Sequence, residues 1–489
     1  MLLNLYSPHN YSDPGPKISI GDVNGDGMED FFIGGSSGNS GFIALQQEDG
    51  SFKFNPLDEG NPFFEDTDAA LFDIDGDGDL DLYVTSGSGE FAEGSPKYQD
   101  RVYLNDGKGN FTFNHKALPR ITTSSSCVRP FDFTGNGQQD VFVGGRLAPM
   151  NYPMPGRSYI LKNEDGLFYD ITKEVAPQLG DLGMVTDAVW VDYNNDGLVD
   201  LVIVGEWMEV SFFKNTGSGL EKDKVKITKQ VKNTRGVFEE IEVNTSGWWN
   251  TIQTTDFNGN NRPDFIIGNL GKNSRYQPKQ SEPISIYAGD FSGSNRSDFV
   301  MTYYLQSKEY PVHSRDDLVK QMVEFKKRYP DYSSYSKATL SDLLPAEVLN
   351  DSYIKKAHVF ESVFLKNMGR NSEGDLVFSL VELPLEAQFS PIKSILIDDV
   401  NGNGSNDVIV VGNAYGTEVS VGQYDAGIGL VLINDGKGNF EALNHQISGF
   451  YVDGDARSVK KLRGGHNKEF YMVSQNKGPL ILFENHHKK

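Results

Sequence analysis

The sequence is poor in cysteine, with Cys127 as the single thiol among 489 residues. One thiol cannot form an internal disulfide, which excludes a disulfide-held scaffold and leaves the redox compartment open. A lone cysteine without a clear base nearby is usually a buried packing residue rather than a nucleophile. We therefore expect Cys127 to be structural.

Long apolar runs are also lacking. No stretch approaches the roughly 18 apolar residues of a transmembrane helix, and the segment from Met1 to Tyr6 is too short for a signal peptide. The chain as it stands is expected to be soluble, without an export signal or lipid anchor of its own. Membership of a longer polypeptide or of a surface complex stays open.

Basic residues are outnumbered, because 45 Lys and Arg face 68 Asp and Glu and give a formal net charge of -23. Such a surface repels phosphate backbones, so nucleic-acid binding is disfavoured. The sequence is still not that of a disordered acidic chain, because aromatic residues make up 12% and can support a core. With 52 glycines in addition, the composition is typical of a turn-rich β protein.

One nine-residue pattern returns along the chain. Side chains that carry oxygen stand at its first, third, fifth and ninth positions, as in DIDGDGDLD from Asp73. A short alternating stretch precedes the pattern and an apolar run follows it, which predicts two strands joined by a tight loop. The copies begin at Asp22, Asp73, Asp132, Asp192, Asp256, Asp290 and Asp399.

A second pattern, with Asn and Gly at a turn, follows most copies and predicts a further hairpin. YLNDGKGNF from Tyr103 and LINDGKGNF from Leu432 are examples. Four strands recurring in this way predict an all-β fold, a β-propeller of four-stranded blades that forms one domain over residues 1–489. The hairpins favour seven blades and leave eight open, because too little chain separates Asp264 from Ile284 for a complete blade.

The two ends of the chain are predicted to close the ring. The last repeat keeps three strands but lacks the Asp loop, and residues 1–6 could supply its fourth strand, leaving no exposed edge. One segment breaks the β pattern, because Ser314 and Asp317 are spaced as a capping box ahead of a helical run of apolar residues. Residues 314–350 are therefore expected to form a helical insertion.

The Asp-rich loops have the chemistry of calcium sites. Calcium takes about six to eight oxygens at about 2.3–2.6 Å from carboxylates, amide and backbone carbonyls and water. Asp or Asn at positions 1, 3 and 5 directs such oxygens to one centre, position 7 adds a backbone carbonyl, and Asp at position 9 completes the set. Asp, Asn and Gly also favour turns without any metal, but that alternative does not explain copies in register. An EF-hand is excluded, because the loops lack the closing Glu and are flanked by strands.

The loops differ in charge, and the loop at Asp73 carries the most carboxylates. The Asp290 loop, with Ser292 and Ser294, is expected to be held by hydrogen bonds instead of calcium. The predicted calcium ligands are Asp22, Asn24, Asp26, Asp30, Asp73, Asp75, Asp77, Asp81, Asp132, Thr134, Asn136, Asp140, Asp192, Asn194, Asp196, Asp200, Asp256, Asn258, Asn260, Asp264, Asp399, Asn401, Asn403 and Asp407.

These motifs carry a family resemblance. The D-x-[DN]-x-[DN]-G-x-x-D loop, followed by an apolar strand and Gly-Gly, resembles the FG-GAP/VCBS repeat of integrin α-chain propellers. Longer stretches such as GDVNGDGMEDFFIGG, YQDRVYLNDGKGNF and GNLGKNS are similar to bacterial VCBS-repeat relatives of cartilage acidic protein, often surface lipoproteins of Bacteroidetes. The resemblance implies a calcium-binding propeller in an extracellular, periplasmic or cell-surface location. The UnbV-type C-terminal domain of some relatives is missing from this sequence, so functions tied to that domain are not implied.

A ligand is expected on the face opposite the Asp loops. The connections that follow each second strand should meet there, and several are long, including residues 86–100, 147–157, 270–283 and 414–427 together with the helical insertion. Aromatic rings beside Arg, Glu and Asn suit a glycan or protein ligand. Tryptophans that merely wedge between blades are the alternative. The predicted ligand-binding residues are Arg146, Glu206, Trp207, Trp248, Trp249, Asn269 and Tyr415, with Asn413 nearby.

Two further functions stay open beside the binding module. One is a calcium-dependent enzyme similar to a polysaccharide lyase, which needs a base beside an arginine, with His313, His358 and Arg146 as candidates. The other is a purely structural propeller that docks a partner. The sequence has no GxSxG or HExxH motif, and GNLGKNS lacks the glycine-lysine spacing of a P-loop.

Overall fold

The structure, a computed structural model, describes residues 8–9, 11, 14–57, 63–233, 235–294, 297–418, 421–465 and 468–486. Over these ranges the chain forms eight sheets that are mostly antiparallel, which confirms the predicted all-β propeller. The second strand of each blade is an apolar run without alternation. It lies between two other strands and between neighbouring blades, so both of its faces are buried.

The first three blades each have four strands. Blade 1 consists of β1 (Ile18–Gly21), β2 (Asp30–Ile33), β3 (Phe42–Gln46) and β4 (Phe52–Pro56). Blade 2 consists of β5 (Asp66–Phe72), β6 (Asp81–Ser86), β7 (Arg101–Asn105) and β8 (Phe111–Phe113), with a 3-10 helix at Pro96–Tyr98. Blade 3 consists of β9 (Ser124–Phe131), β10 (Asp140–Leu147), β11 (Tyr159–Glu164) and β12 (Leu167–Asp170), followed by helix α1 (Thr172–Val175).

Blades 4 and 5 carry additions. Blade 4 consists of β13 (Met184–Val191), β14 (Asp200–Met208), β15 (Ser211–Asn215) and β16 (Leu220–Asp223). The chain then forms the hairpin β17 (Lys226–Lys232) and β18 (Phe238–Glu242), and the short strand β19 (Gly247–Trp248), which pairs with β14. Blade 5 begins with β20 (Thr251–Thr255) and β21 (Asp264–Gly268).

An inserted unit interrupts blade 5. Its sheet consists of β22 (Ile284–Gly289), β23 (Asp298–Leu305), β24 (Lys308–Pro311) and β25 (Tyr353–Ala357). Five short helices separate the last two strands: α2 (Arg315–Gln321), α3 (Phe325–Arg328), α4 (Tyr332–Tyr335), α5 (Leu340–Leu343) and α6 (Ala346–Asn350). The predicted helical insertion is therefore present, and it belongs to a larger insertion that has its own sheet.

The chain then completes blade 5 and adds two more blades. Blade 5 ends with β26 (Val363–Arg370) and β27 (Leu376–Glu382), and β27 pairs in parallel with β17 of the added hairpin. A 3-10 helix (Leu385–Gln388) leads to blade 6, which consists of β28 (Ile392–Asp398), β29 (Asp407–Gly412), β30 (Leu430–Asn434) and β31 (Phe440–Leu443). Helix α7 (His445–Ser448) precedes blade 7, which consists of β32 (Ala456–Gly464), β33 (Lys468–Gln475) and β34 (Ile481–Glu484).

The blades close into a ring. The first strand of each blade contacts the first strand of the next, in the order β1, β5, β9, β13, β20, β28, β32 and back to β1. At the closure, the Ser474 hydroxyl donates a hydrogen bond to the Pro16 carbonyl at 2.6 Å. The ring thus has the favoured seven blades, and the eighth sheet is the inserted one. The predicted closing strand at residues 1–6 lies outside the described residues.

The N-cap at Ser314 explains where the helical insertion begins. The Ser314 hydroxyl accepts a hydrogen bond from the backbone N–H of Asp317, as the sequence spacing predicts. The first helix stops at Gln321, and Met322 and Phe325 pack with Leu340 and Leu343 in a local core. This unit therefore folds around apolar residues of its own, on the side of the ring where β21 ends.

Candidate functional site

The Asp loops of the ring lie at one end of the blades, between the first and second strands of blades 1 to 6. In the first loop, the Asp22 carboxylate accepts N–H groups from Gly25 and Gly27, both at 2.8 Å. These glycines have φ angles of 72° and 85°, in the left-handed region that favours glycine. The loop thus wraps around the carboxylate of its first residue.

The ninth-position Asp has a structural role that the sequence reasoning missed. Asp30 is buried, and its carboxylate accepts the N–H groups of Val23 at 3.1 Å and Gln46 at 2.7 Å. It therefore ties the Asp loop to the third strand of its own blade. Burial is the main cause that raises the pKa of Asp30, Asp81 and Asp264 to about 6. The equivalent bond to the third strand is made by Asp81, Asp140, Asp200, Asp264 and Asp407.

An asparagine at the end of the third strand joins neighbouring blades. The Asn105 side-chain amide donates to the Val23 carbonyl of blade 1 at 2.7 Å and to the Leu80 carbonyl of its own blade at 3.1 Å. The carbonyl of the Asn105 side chain accepts the N–H of Gly109 at 3.1 Å. The repeated Asn before the turn, which predicts a hairpin, also connects blades. Asn163, Asn367 and Asn434 donate in the same way to the preceding blade.

The loop at Asp73 brings carboxylates together as a cation site would. Carboxylate oxygens of Asp73, Asp75 and Asp81 all lie within 4.8 Å of one another. Two oxygens on opposite sides of one calcium, at about 2.4 Å each, are separated by about that distance, so the three groups can contact one ion. Burial, and next the negative charge of Asp77, raise the pKa of Asp75. The donor set therefore fits a divalent cation with oxygen preference.

In the loops at Asp192 and Asp290, the carboxylates are paired with other groups of the protein. In the loop at Asp192, the Lys214 ammonium pairs with Asp196 at 2.9 Å, and the Asn194 amide donates to Asp200 at 3.1 Å. The Asp290 loop belongs to the inserted sheet, and Asp290 accepts the N–H of Ser294 at 2.8 Å. The structure therefore singles out the loop at Asp73, as its charge predicts.

At the opposite end of the ring, a buried carboxylate organises several predicted ligand-binding residues. Glu206 is 2% exposed and accepts hydrogen bonds from Tyr152 at 2.9 Å, Tyr11 at 3.0 Å and the Arg146 guanidinium. His9 lies 3.0 Å from the same carboxylate. Burial favours a higher pKa for Glu206, but the charges of His9 and Arg146 outweigh it and hold the pKa below its ordinary value.

Two of the predicted tryptophans adjoin this carboxylate. The Trp207 indole donates to the Tyr152 hydroxyl at 2.7 Å, and its ring meets the Trp248 ring edge-on at 5.0 Å. The Trp248 ring also packs edge-on against His9 at 5.6 Å. The structure thus brings together Arg146, Glu206, Trp207 and Trp248 at the end of the ring opposite the Asp loops.

The remaining predicted ligand-binding residues have structural contacts, and the Asn269 side chain accepts the N–H of Trp248 at 3.1 Å. Trp249 is fully buried in the core, and its indole donates to the Thr245 carbonyl at 3.0 Å. Asn269 and Asn413 are buried and use their side chains to fix backbone, as in the 2.9 Å bond from Asn269 to the Val359 carbonyl. Tyr415 is exposed, and its hydroxyl donates to the Asp453 carbonyl at 2.8 Å. In the described structure, packing and backbone contacts account for Trp249, Asn269 and Asn413.

Two adjoining cavities lie beside this cluster, of about 120 and 50 Å³. His9, Asn250, Lys393 and Arg457 line both. The first strand of every blade, or the residue next to it, supplies lining: Lys17, Thr67, Ser124, Thr186, Asn250, Lys393 and Arg457. The cavities therefore lie on the ring axis, and we call them the channel mouth. Charged residues in the inner strands were the sequence signal that could have revealed it.

The candidate catalytic histidines and the lone cysteine are not part of the channel mouth. His313 is partly buried and accepts the N–H of Met301 at 3.2 Å, and removal from water lowers its pKa to about 4. His358 lies 2.8 Å from the Ser246 hydroxyl. Cys127 is buried among apolar side chains, where burial raises the pKa of its thiol to about 12. Its environment is that of the expected packing residue.

Comparison with known proteins agrees with this architecture. The sequence profile of the FG-GAP-like repeat matches residues 22–84, 89–143 and 192–267. No curated protein sequence matches the chain. No helix of the described residues has the length and apolar character needed to cross a membrane.

Similar solved structures show low sequence identity. The biofilm matrix protein Bap1 of V. cholerae is 11% identical over 99% of this chain and 90% of its own, with a TM-score of 0.39. The BBS1N structure in complex with ARL6DN is 9% identical over 100% of this chain and 97% of its own, with a TM-score of 0.41. The Dos1 propeller is 11% identical over 100% and 97%, with a TM-score of 0.37. By its ring of blades the chain is a β-propeller, and it carries FG-GAP-like repeats over the three matched stretches.

Proposed function

We propose that this propeller binds calcium in its Asp loops and presents its opposite face to a glycan or protein ligand outside the cell. The observation that carries the calcium part is the convergence of Asp73, Asp75 and Asp81 within 4.8 Å. Bound there, calcium would neutralise carboxylates that are otherwise held together against their mutual repulsion. An extracellular, periplasmic or cell-surface location supplies calcium at the concentrations that such exposed loops require.

The ninth-position Asp gives the ion a structural effect. Asp81 accepts the N–H of Ile74 at 2.9 Å and of Asn105 at 2.8 Å, and these bonds leave lone pairs free on its carboxylate oxygens. An ion bound by Asp81 would therefore hold the loop to the third strand of blade 2. Asn105 continues this connection to blade 1. Calcium in this proposal stabilises the ring and leaves the opposite face to recognition.

The binding part of the proposal is supported by the layout of the opposite face. The long connections and the inserted unit leave the ring there, and the channel mouth combines aromatic, cationic and hydroxyl-bearing side chains. Enclosed polar groups beside aromatic rings suit a ligand that is fixed by a few directed hydrogen bonds. The lyase-like alternative has no support from His313 or His358, which lie outside the channel mouth.

A binding screen with a matched control tests this proposal. Glycan arrays and pull-down from an extracellular fraction would be run in calcium with the wild type, Trp248→Ala and Trp190→Ala. Trp190 lies near the Asp-loop end of β13, so its variant is expected to keep ligand binding. We expect Trp248→Ala to lose the ligand while retaining calcium. Absence of any glycan or protein ligand for the calcium-loaded wild type would contradict the binding proposal.

A further inference from the structure

The channel mouth is cationic in a protein whose net charge is -23. Lys17, Arg146, Lys393 and Arg457 line it together with His9. No Asp or Glu is among the described residues that line either cavity. A concentration of positive charge in a small enclosure of an acidic protein favours an anionic ligand.

Some of this charge is already balanced, and some is not. Arg146 pairs with Glu206, and Arg457 pairs with Asp455 at 2.7 Å. The Lys393 ammonium instead donates to the neutral Asn250 side chain at 2.7 Å. Burial, and next the nearby Arg457, lower the pKa of Lys393 to about 7. The acids that act on Lys393 are Asp455 and Glu206, and they already pair with Arg457 and Arg146.

A second ammonium has the same character. Lys17 donates to the Arg457 carbonyl at 2.8 Å, and burial lowers its pKa. The acids that act on Lys17 are Asp68 and Asp187, and both already pair with Arg129. The channel mouth therefore holds two ammonium groups, one next to β1 and one in β28, and each donates a hydrogen bond to a neutral oxygen.

Two buried donors in the same place lack an acceptor. In the described structure neither Arg457 Nε nor Trp248 Nε1 has a hydrogen-bond partner. Arg457 is 9% exposed and Trp248 3% exposed, so neither is well solvated. A buried donor without a partner has lost its hydrogen bonds to water and gained none in return, which is unfavourable. Since Arg457 lines both cavities and Trp248 lines the smaller one, a ligand with acceptor oxygens can satisfy them.

We propose that the channel mouth binds the carboxylate of an acidic sugar residue, a hexuronate, between Lys393, Lys17 and Arg457. This deepens the proposed function and rests on it, because it names the class of glycan. A sugar is favoured over an acidic peptide by the hydroxyls of Ser124, Ser125, Ser126, Thr67 and Thr186, which line the cavity. Those of Thr67, Ser126 and Thr186 donate to backbone carbonyls and keep lone pairs that can accept hydrogen bonds from ring hydroxyls. The larger cavity, about 120 Å³, has room on the order of one sugar ring.

Calorimetric titration with free monosaccharides tests the proposal. Galacturonate and glucuronate would be compared with galactose and glucose at saturating calcium. We expect a uronate to bind at least about tenfold more tightly than its neutral counterpart. Equal binding of the acidic and neutral sugars, or binding of neither uronate, would overturn the inference. Preferential binding of a Glu-rich peptide over the uronates would also overturn it.

Variants assign the effect to the cavity. Lys393→Met removes an ammonium that forms no ion pair within the part of the chain that the structure describes, and we expect uronate affinity to fall about tenfold or more. Lys393→Gln keeps a polar side chain beside Asn250 and is the second variant if the first does not fold. Lys437→Met is the matched control, because Lys437 is exposed on a turn at the Asp-loop end. Unchanged uronate affinity in a folded Lys393 variant would overturn the assignment.

The outcomes separate this inference from the proposed function. If the calcium-loaded protein binds a neutral glycan or a protein at the Trp248 face but no uronate, the proposed function stands and the acidic-sugar inference fails. If it binds no glycan and no protein at all, both fail.

Discussion

Replacement of Glu206 by Ala should destabilise the whole ring. The carboxylate is 2% exposed, pairs with Arg146 and accepts from the hydroxyls of Tyr11 and Tyr152. Its removal leaves Arg146 as an uncompensated cation and the tyrosine hydroxyls without their charged acceptor. These residues come from blade 3, blade 4 and the N-terminal segment, so the loss reaches across blades.

The magnitude follows from the burial of the pair. Removal of one partner of a buried ion pair costs about 3–5 kcal/mol. The Arg146 side chain is 16% exposed, so water can reach it in part, and we expect the lower half of this range. Glu206→Gln preserves the shape and some of the hydrogen bonds, and should lose about 1.5–3 kcal/mol, the value of hydrogen bonds to a charged group.

Urea unfolding followed by tryptophan fluorescence measures these losses in saturating calcium. Glu441→Ala, at an exposed position of β31, is the control and should change the unfolding free energy by less than about 0.5 kcal/mol. The double variant Arg146→Met/Glu206→Leu should lose less than Glu206→Ala, because no unpaired charge remains. This reasoning would be refuted if Glu206→Ala lost less than about 1 kcal/mol. It would also be refuted if the loss in the double variant equalled the sum of the losses in Arg146→Met and Glu206→Leu.

Acid should weaken the same network. The folded state holds the pKa of Glu206 below its ordinary value of about 4.3. The ionised carboxylate therefore contributes its full stabilisation well above that pH, and the stabilisation is lost as the pH falls below it. The wild type should therefore lose more stability than Glu206→Gln between about pH 5 and pH 3, in urea unfolding at each pH. Equal losses of stability in the wild type and in Glu206→Gln over this pH range would contradict the assignment of the pH dependence to Glu206.

Three further predictions concern other parts of the ring. Asn105→Leu removes the bonds to Val23 and Leu80 and should destabilise the protein by about 2–4 kcal/mol in urea unfolding, whereas Asn110→Ala, exposed on the adjacent turn, should change little. Cys127 should react with a thiol reagent only after unfolding, since burial raises its pKa to about 12; rapid labelling of the native protein would contradict this. Uronate affinity should fall as pH rises from about 6 to 9, because a carboxylate binds the protonated form of Lys393, and the pKa of Lys393 is about 7 in the folded protein. An affinity that does not change with pH would exclude Lys393 as the partner.

The sequence predicts the blades well because each Asp loop is a local signal. The residues that wrap the loop and the apolar strand that follows are neighbours in the chain, so the pattern at Asp22 is sufficient to place β1 and β2. The loop at Asp290 shows the limit. It has the same local pattern, but its strands form the inserted sheet, and only the pairing of β21 with β26 excludes it from the ring.

The channel mouth could not be assembled from the sequence because its contacts are long-range. Lys17 meets Arg457, and Arg146 meets Glu206, after the ring has closed. The different environments of the two adjacent tryptophans could have been predicted, because successive residues of an extended chain point to opposite sides. Trp248 accordingly faces the channel mouth and Trp249 the core.

Calorimetric titration of calcium into three matched proteins tests the central claim most directly. Asp75→Asn and Asp79→Asn remove the same charge from the same loop, but only Asp75 belongs to the converging carboxylates. We expect the wild type and Asp79→Asn to bind calcium and Asp75→Asn to lose the tightest site. Thermal unfolding should follow, with about 2.7 kcal/mol of stabilisation when free calcium is a hundredfold above Kd. Absence of calcium binding by the wild type, or equal affinities of the two variants, would contradict the account.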